Sequence, residues 1–259
     1  MLILLPPSEG KAVPRRGKPL DLASLTFPGL TEARQTVLAA LVELCSGDPA
    51  TATEVLGIGP TQADLLERNT ALLDAPSARA DRVYTGVLYD NLGLGSLDGA
   101  ARRRATSWLA VQSALFGLVR PHDRIPSYRL SGDVTLPGLG TVAAHWRAVL
   151  GPVLEQAIGQ GLFVDLRSGT YAAFWRPAPD LADQVATLRV LQQVGSRRKV
   201  VSHFNKATKG RIVRALLLDG GIPRSPGELA DHLAALGWKV EPHPPTRSGQ
   251  VLDVVVDDL

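Results

Sequence analysis

The chain has 259 residues and a formal net charge of +3 at pH 7, and 45% of its residues are hydrophobic and 20% charged, as is usual for a globular protein. A single cysteine, Cys45, excludes a disulfide framework and a CxxC pair, and five scattered histidines give weak support for a metal site, so no metal and no cofactor are expected. No apolar run approaches the roughly 20 residues that cross a bilayer, and the N-terminus lacks a signal-peptide pattern, so we expect a cytoplasmic protein without membrane contact.

Strands and helices alternate in the first half of the chain. Apolar periodicity predicts strands at residues 1–5 and 82–88 and helices at residues 31–44, 52–73 and 100–119. The first strand runs into a polar turn, and the second helix is interrupted by the glycines of Leu56-Gly-Ile-Gly-Pro60. The third helix is expected to stop at Arg120-Pro121, because proline ends helices.

The second half begins with a long irregular loop and then alternates in the same way. We expect helices at residues 142–159 and 226–236 and strands at residues 162–166, 185–194, 238–241 and 251–256. A buried strand at residues 200–204 is expected before a helix that follows Asn205 and ends at Gly220. The order of elements predicts the α/β class (mixed α+β): a single compact domain over residues 1–259, with a mixed sheet flanked by helices and a helical subregion at about 31–75.

Three of the apolar strands end in polar or cationic turns. These turns are PPSEGK at residues 6–11, RSGTY at residues 167–171 and HFNKATKG at residues 203–210. In open α/β sheets, ligands bind at the carboxyl ends of the strands. If the three turns converge, they therefore form a ligand cleft.

The third turn opens the most cationic part of the chain. Residues 197–214 carry seven Lys or Arg side chains and no acid, so the remainder of the chain sums to about −4. Helical spacing places Lys206 and Lys209 on the apolar face, and Arg211 and Arg214 on the opposite side. Two inward lysines beside the unpaired N–H groups of a helix start, with His203 just upstream, predict an anion site. The alternative is that the lysines extend to solvent and only keep the helix soluble.

The loop after Val119 is the second cationic segment. It is held by two prolines and contains Arg120, Asp123, Arg124, Tyr128 and Arg129. Arginine side chains suit bidentate binding of phosphate or carboxylate, and Tyr128 could stack on a base. An Arg–Asp network that fixes the loop to the domain explains the same residues equally well.

Two further features favour nucleic acid. Gly57 and Gly59 resemble the hairpin of a helix-hairpin-helix element, in which backbone N–H groups approach a phosphate, although an ordinary glycine joint between helices is the more frequent explanation. The basic clusters at residues 102–104 and 197–199 could contact a polyanion or simply be solvated. Catalytic candidates are Glu9, Asp123 and Lys206, none of which lies in a specific catalytic motif.

The chain resembles the YaaA family of peroxide-stress proteins over nearly its whole length. The resemblance is carried, in matching order, by MLILLPPSEGK, RVYTGVLYDNLGL, LFGLVRPHDRIPSYRLSGDVTLPGLG, VDLRSGTY and VSHFNKATKGRIVRALL. It implies a cytosolic protein needed under hydrogen peroxide that limits free iron and oxidative DNA damage. It also implies a family-specific α/β fold with a helix-hairpin-helix element, and binding to double-stranded and other forms of DNA. We expect that binding to be sequence-nonspecific, because only backbone contacts are suggested.

The resemblance carries over to the family's strongest motif positions, which are Lys11, Arg120, Pro121, Asp123, Tyr128, Arg129, Ser168, Tyr171, Lys206, Gly210 and Arg214. Two departures remove a carboxylate from the expected cleft. Ser131-Gly132 stands where many members have Glu-Met, and Gly169-Thr170 stands where they have a Ser-x-Glu-Tyr turn. The segment TLPGLGTVAAHWR looks like a variant of actinobacterial members.

Two functions follow as hypotheses, and a third, iron sequestration, is weaker because oxygen and imidazole ligands are not clustered. The first is a DNA-binding stress protein, with contacts from Gly57, Gly59, Arg102, Arg103, Arg104, Arg211 and Arg214. The second is an enzyme or binding protein for an anionic, nucleotide-like small molecule, with a cleft formed by Ser8, Lys11, Arg120, Asp123, Tyr128, Arg129, Ser168, Tyr171, His203, Lys206 and Lys209. The chain lacks the cysteine pair or haem ligands with which a protein would consume peroxide itself.

Overall fold

The computed structural model describes residues 1–59, 62–194, 197–199 and 202–257. Its α-helices are α1 (Thr31–Ser46), α2 (Pro49–Leu56), α3 (Asp64–Thr70), α4 (Ala80–Val83), α5 (Val87–Leu92), α6 (Gly99–Trp108), α7 (Val142–Ile158), α8 (Gly169–Ala172), α9 (Ser202–Asp219) and α10 (Pro226–Ala235). Among the described residues, no helix is both long and apolar enough to cross a membrane.

In the described part of the chain, eight strands form the main sheet, and two short pairs lie outside it. The strands are β1 (Leu2–Leu5), β2 (Ala78–Arg79), β3 (Leu109–Ser113), β4 (Gly117–Val119), β5 (Arg124–Ile125), β6 (Thr135–Leu136), β7 (Gly140–Thr141), β8 (Phe163–Asp165), β9 (Val185–Val194), β10 (Arg197–Lys199), β11 (Lys239–Pro242) and β12 (Gln250–Asp257). The main sheet has the order β11-β12-β9-β8-β1-β3-β4, and β10 pairs with β9. The sheet is mixed, as predicted.

The sheet reverses its direction of growth next to β1. Five neighbouring strands are parallel, and they lie side by side in the order β3-β1-β8-β9-β12. When these five strands are numbered along the chain, the order across the sheet is 2-1-3-4-5. The chain leaves β1 for β3 on one side and later returns to β8 on the other. Such a switch point opens a crevice at the carboxyl ends of the two strands, which is where doubly wound sheets bind ligands.

One cluster of buried side chains runs from β1 to β12 and includes residues of α1, α2 and α3. All residues of β1, β3 and β8 are buried, as expected for central parallel strands covered on both faces. Helix α6 packs on β1 and β3, and α9 packs on α5, α6 and β9. The helices α1, α2 and α3 therefore share one hydrophobic core with the sheet.

The prediction of one helix over residues 100–119 is wrong. The helix α6 ends at Trp108, and β3 and β4 follow as an antiparallel pair joined by a tight turn. Gly117 has a φ of 69° and lies against the Trp146 ring, so that a Cβ there would come within 2.6 Å of a ring carbon. Every residue from 108 to 119 is buried, including the polar Gln112 and Ser113, and a segment buried on all sides has no alternation of exposed and buried positions that separates a strand from a helix.

Two further strand predictions are also wrong. Residues 82–88 contain the end of α4 and the start of α5, separated at Gly86, whose φ is 98°. Residues 202–204 already belong to α9, which begins before Asn205, while Val200 and Val201 lie outside the described residues. In both segments an apolar stretch of about five residues was too short to show a period.

The glycines of the hairpin-like element end α2. Gly57 adopts the left-handed conformation with a φ of 57°, and the N–H groups of Gly57 and Ile58 donate to carbonyls of the last turn. Gly59 N–H donates to Gln62 Oε1 at 3.3 Å. Pro60 and Thr61 lie outside the described residues, so a helix-hairpin-helix stays a prediction.

Candidate functional site

A cavity of about 630 Å³ opens at the carboxyl ends of β1 and β8, and we call it the main cavity. It is lined by residues 6–10, 85–89, 166–169, 171, 205, 206 and 209. Residues of all three segments that were expected to converge are among them, although the third segment, at residues 203–210, belongs to α9 and is not a turn. The cavity lies at the switch point of the sheet and falls in the size range of small-molecule sites, about 300–1,000 Å³.

Two lysines of α9 give this cavity its positive charge. Lys206 is exposed, and Lys209, one turn further along, is half-buried and donates from Nζ to Leu166 O at 3.0 Å. Burial lowers the pKa of Lys209, and the nearby Asp165 opposes that shift. Among the described residues, neither lysine forms an ion pair with a carboxylate, so their charges are available to a ligand.

Asp165 at the end of β8 is already engaged by Arg167. The Arg167 guanidinium donates from Nε to Asp165 Oδ1 at 2.9 Å and from Nη2 to Oδ2 at 2.7 Å, and the Arg167 backbone N–H donates to Oδ1. Both residues are buried, and Arg167 also packs over the Trp175 ring. This bidentate pair neutralises the carboxylate closest to Lys209 and fixes the turn that follows β8.

Ser168 and Tyr171 also line the main cavity. Burial, and to a lesser degree the charge of Glu9, raises the pKa of Tyr171, whose side chain hydrogen-bonds to the backbone of Gly132. A Cβ on Gly132 would lie 3.0 Å from the Phe174 ring and 3.1 Å from the Tyr171 ring. The two sequence departures, at residues 131–132 and 169–170, therefore meet around Tyr171.

A second cavity of about 270 Å³ adjoins the first, and we call it the side cavity. It is lined by residues 9–11, 62, 65, 68 and 127–129, and it shares Glu9 and Gly10 with the main cavity. The Glu9 carboxylate forms an ion pair with the Arg129 guanidinium. The structure thus brings Lys11 and Arg129 next to the main cavity and not into it.

Lys11 sits between backbone carbonyls and an aromatic ring. Its Nζ donates to Ser8 O at 2.8 Å and lies 4.3 Å from the centroid of the Tyr128 ring. Burial lowers the pKa of Lys11 to about 8; the Glu9 carboxylate acts in the opposite direction, and Arg129 lowers it further. Lys11 is consequently a partly desolvated amine next to a second cation.

The first half of the arginine loop has structural roles. Asp123 accepts from the backbone N–H of Thr26 at 2.9 Å and of Arg120 at 2.7 Å, and Arg120 Nη1 donates to the carbonyls of Ser107 and Leu109. Tyr128 is buried, with its hydroxyl 3.0 Å from Tyr84 Oη. For Arg120, Asp123 and Tyr128, the structure therefore shows the network that fixes the loop.

The arginines proposed for DNA divide into two groups. Arg104 donates to the carbonyls of Leu217 and Leu218 at the end of α9, and Arg214 donates to Leu92 O and Gly93 O at the end of α5, so both cap helix C-termini. The second group, Arg102, Arg103 and Arg211, is exposed. This second group is the more exposed of the two, whereas Arg104 and Arg214 are half-buried.

Sequence reasoning missed some residues of both cavities. Thr85, Tyr89 and Arg167 line the main cavity, and Arg68 and Ser127 line the side cavity. The carboxylate–guanidinium spacing of Asp165 and Arg167 directly after a strand could have revealed one of them. The side chain of His203 lies outside the described residues. In the described part of the chain, no three His, Cys, Asp or Glu side chains are grouped as a metal site requires.

A family model described as peroxide stress protein YaaA matches residues 1–243. The chain belongs to this family. It is 54% identical over 261 residues to a UPF0246 protein of Streptomyces coelicolor, covering 100% of both chains. It is 42% identical to a UPF0246 protein of Corynebacterium efficiens, over 93% of this chain and 95% of the relative.

More distant similarity extends beyond the actinobacteria. An uncharacterized protein of Campylobacter jejuni is 27% identical over 212 residues, which cover 81% of this chain and 82% of the relative.

The YaaA motif positions of the present chain separate into two groups. Ser168, Tyr171 and Lys206 line the main cavity and Lys11, Tyr128 and Arg129 line the side cavity, whereas Asp123, Gly210 and Arg214 hold loops or helices together.

Proposed function

We propose that this member of the YaaA family binds an anionic, nucleotide-like small molecule in the main cavity, and that this binding is its contribution to the peroxide-stress response. The observation that carries the proposal is the pair Lys206 and Lys209, which lines a cavity at the switch point of the sheet. Their ammonium groups supply the charge that a phosphate or carboxylate requires.

The cavity offers distinct partners to two parts of such a ligand. Lys206 and Lys209, with the hydroxyl of Ser168, suit an anionic group. Pro6, Leu88 and the Tyr89 ring provide apolar surface on the same cavity, as small-molecule sites usually do. Two of the three catalytic candidates, Glu9 and Lys206, are also present, whereas Asp123 is committed to the loop.

Substitution of the lysines tests the proposal. A panel of nucleotides and phosphorylated metabolites is first screened by thermal shift and calorimetry against the wild-type protein. Lys206→Ala and Lys209→Ala are each expected to weaken a ligand found in this way by about ten-fold or more, since a charged hydrogen bond is worth roughly 1.5–3 kcal/mol. Lys239→Ala, on exposed β11, removes the same charge away from the cavity and should leave affinity unchanged.

The proposal is wrong if no member of the panel binds, or if Lys239→Ala weakens binding as much as the two cavity variants do. Substitution of the half-buried Lys209 can destabilise the fold. The unfolding temperature of each variant must therefore first be shown to lie within a few degrees of that of the wild type. Lys206 is exposed, so its variant is the safer of the two.

Sequence-nonspecific DNA binding that limits oxidative, iron-dependent damage is the second candidate. It is supported by the exposed guanidinium groups of Arg102, Arg103 and Arg211 on α6 and α9, which pack against each other. Arg103→Ala should lower the slope of log K against log salt for duplex DNA by up to about 0.9, the loss expected for one phosphate contact. An unchanged slope would remove α6 from the DNA-binding surface.

A further inference from the structure

Two polar atoms of the side cavity have no hydrogen-bond partner among the residues that the structure describes. Ser127 is 3% exposed, and neither its Oγ nor the buried Nε of Arg129 finds a hydrogen-bond partner in the described part of the chain. Nearly all buried polar groups in folded proteins are paired, so an unpaired one calls for a partner such as an ordered water or an ion. Both residues line the side cavity.

The charges around these two atoms have one predominant sign. The side cavity is lined by Lys11, Arg68 and Arg129, and by Glu9 as the only carboxylate among its described lining residues. Arg68 is paired with Asp64 of its own helix at 2.7 Å, in an arrangement one turn apart that contributes little energy. Arg129 lies close enough to Lys11 for its charge to lower the pKa of the lysine.

The Glu9 carboxylate now pairs with the Arg129 guanidinium, which an external anion would otherwise bind. The contact is made to Arg129 Nη1, and the Glu9 side chain is 57% exposed, whereas the Arg129 side chain is 23% exposed. The carboxylate is more than half exposed and can therefore turn to solvent, where water hydrates it, and leave the mostly buried guanidinium to an incoming anion. It acts as an internal substitute for a ligand oxyanion.

We propose that the side cavity is an oxyanion subsite, in which a phosphate-sized anion accepts hydrogen bonds from Ser127 Oγ–H and the Arg129 guanidinium, lies beside Lys11, and displaces the Glu9 carboxylate. The volume of about 270 Å³ is below the usual range for whole small-molecule ligands, about 300–1,000 Å³, which favours a single anionic group. The subsite does not depend on a ligand in the main cavity.

Inorganic phosphate is the probe, titrated at constant ionic strength against sodium chloride and followed by ¹H–¹⁵N NMR. Saturable shifts are expected at backbone amides of residues 9–11 and 127–129. Arg129→Gln should weaken phosphate binding by about ten-fold or more and Ser127→Ala by about three- to ten-fold, since hydrogen bonds to charged groups are the stronger class. Glu9→Gln should tighten it by about two- to five-fold, because the internal competitor is removed.

Two controls separate a subsite from a general charge effect and from misfolding. Asp231→Asn on α10 makes the same change in net charge as Glu9→Gln and should not change phosphate affinity. Ser127→Ala removes a hydroxyl that has no partner, so the unfolding temperature in the absence of phosphate should stay the same or rise. Arg129→Gln keeps the backbone hydrogen bonds of residue 129 with Asn69.

Shifts confined to residues 166–171 and 205–209 would overturn the subsite while supporting an anion in the main cavity. The absence of saturable shifts, or unchanged affinity in both Ser127→Ala and Arg129→Gln, would also overturn it. Saturable shifts at residues 127–129 in a protein that binds no ligand of the nucleotide panel would support the subsite and leave the main-cavity proposal without support.

Discussion

Lys11 is a residue whose charge depends on two neighbours of opposite sign. Burial brings its pKa to about 8, the Glu9 carboxylate favours the ammonium form, and Arg129 disfavours it, while the rings of Tyr84 and Tyr128 cover the amine. The unfolded chain, with a lysine pKa of about 10.4, binds more protons between about pH 8 and 10.4. The contribution of Lys11 to the free energy of unfolding therefore rises with pH across that window.

We expect the ¹³Cε resonance of Lys11 to titrate near pH 8. Glu9→Gln removes a favourable charge and should lower the pKa further, whereas Arg129→Gln removes a cation and should raise it. The measurement is an NMR titration of ¹³C-labelled lysines, with Lys239 as an exposed reference. A Lys11 signal that titrates with the exposed lysines would contradict the description of this amine as desolvated.

At the level of single residues, the sequence predicted those cavity positions that follow from local geometry. Helical spacing alone placed Lys206 and Lys209 on one face of α9, and both line the main cavity. Spacing could not show that Arg104 and Arg214 cap helices more than a hundred residues away in the chain, at Leu217 and Leu92. The role of a flexible cation depends on which carbonyls the tertiary fold brings within its reach, and this information is not local.

The crossing of α5 and α9 depends on Gly210. A Cβ at this position would come 2.3 Å from Leu88 O and 3.0 Å from Leu92 N, so the two helix backbones approach more closely than any side chain allows. Both helices also line the main cavity, through residues 87–89 and 205–209. Their separation therefore sets the width of the site.

Gly210→Ala is expected to lower the free energy of unfolding by about 1–3 kcal/mol, the usual cost of overpacking. Gly151→Ala in α7 is the matched control, since its Cβ would meet only ordinary contacts at 3.8 Å or more, and alanine in a helix interior is favoured over glycine by up to about 1 kcal/mol. Urea denaturation of the two variants measures both effects. Equal stability of Gly210→Ala and wild type would show that α5 moves aside without cost.

The contact between α6 and α9 gives a second prediction at this scale. Arg104→Ala removes two hydrogen bonds from the last carbonyls of α9 and should cost about 1–3 kcal/mol of unfolding free energy, because those carbonyls lose their charged donor. Arg103→Ala, on the neighbouring exposed position, should change stability by less than about 0.5 kcal/mol. Chemical denaturation distinguishes them, and similar stabilities would refute the capping role of Arg104.

Element boundaries were predictable where a side chain or proline marks them. Strands β1 and β9 and the helices α1, α7 and α10 lie within two residues of their predicted positions. The pair β3 and β4 was predicted as part of a helix because Trp108, Val111, Leu115 and Leu118 recur at helical spacing, and a strand buried on both faces has no alternation of exposed and buried positions to reveal its period. The strand order, and with it the switch point, is a tertiary property that periodicity does not contain.

Over the whole molecule, the only thiol is protected by the fold. Cys45 is 8% exposed, burial raises its pKa, and Asn69 Nδ2 lies 3.5 Å from its sulfur. The same Asn69 side chain donates from Nδ2 to the backbone carbonyl of Arg129 and accepts at Oδ1 from the backbone N–H of Arg129. The thiol consequently belongs to the packing that supports the side cavity, and it is poorly placed for redox chemistry.

We expect Ellman's reagent to label native Cys45 only as fast as the protein opens, and labelling to become rapid in denaturant. A variant with Cys45→Ala and Ser46→Cys provides the control, because residue 46 is exposed on the same helix and should react at once. Rapid labelling of the native wild-type thiol, with its circular dichroism unchanged, would mean that α1 and α3 separate far more readily than the core packing indicates.

The side chain of Glu9 lies where the main and side cavities meet, and it can move without any rearrangement of the backbone. Glu9 lines both cavities, and its carboxylate pairs with Arg129. An anion that displaces this carboxylate in the side cavity would also change the charge presented to the main cavity, so the two sites are coupled through one acidic side chain.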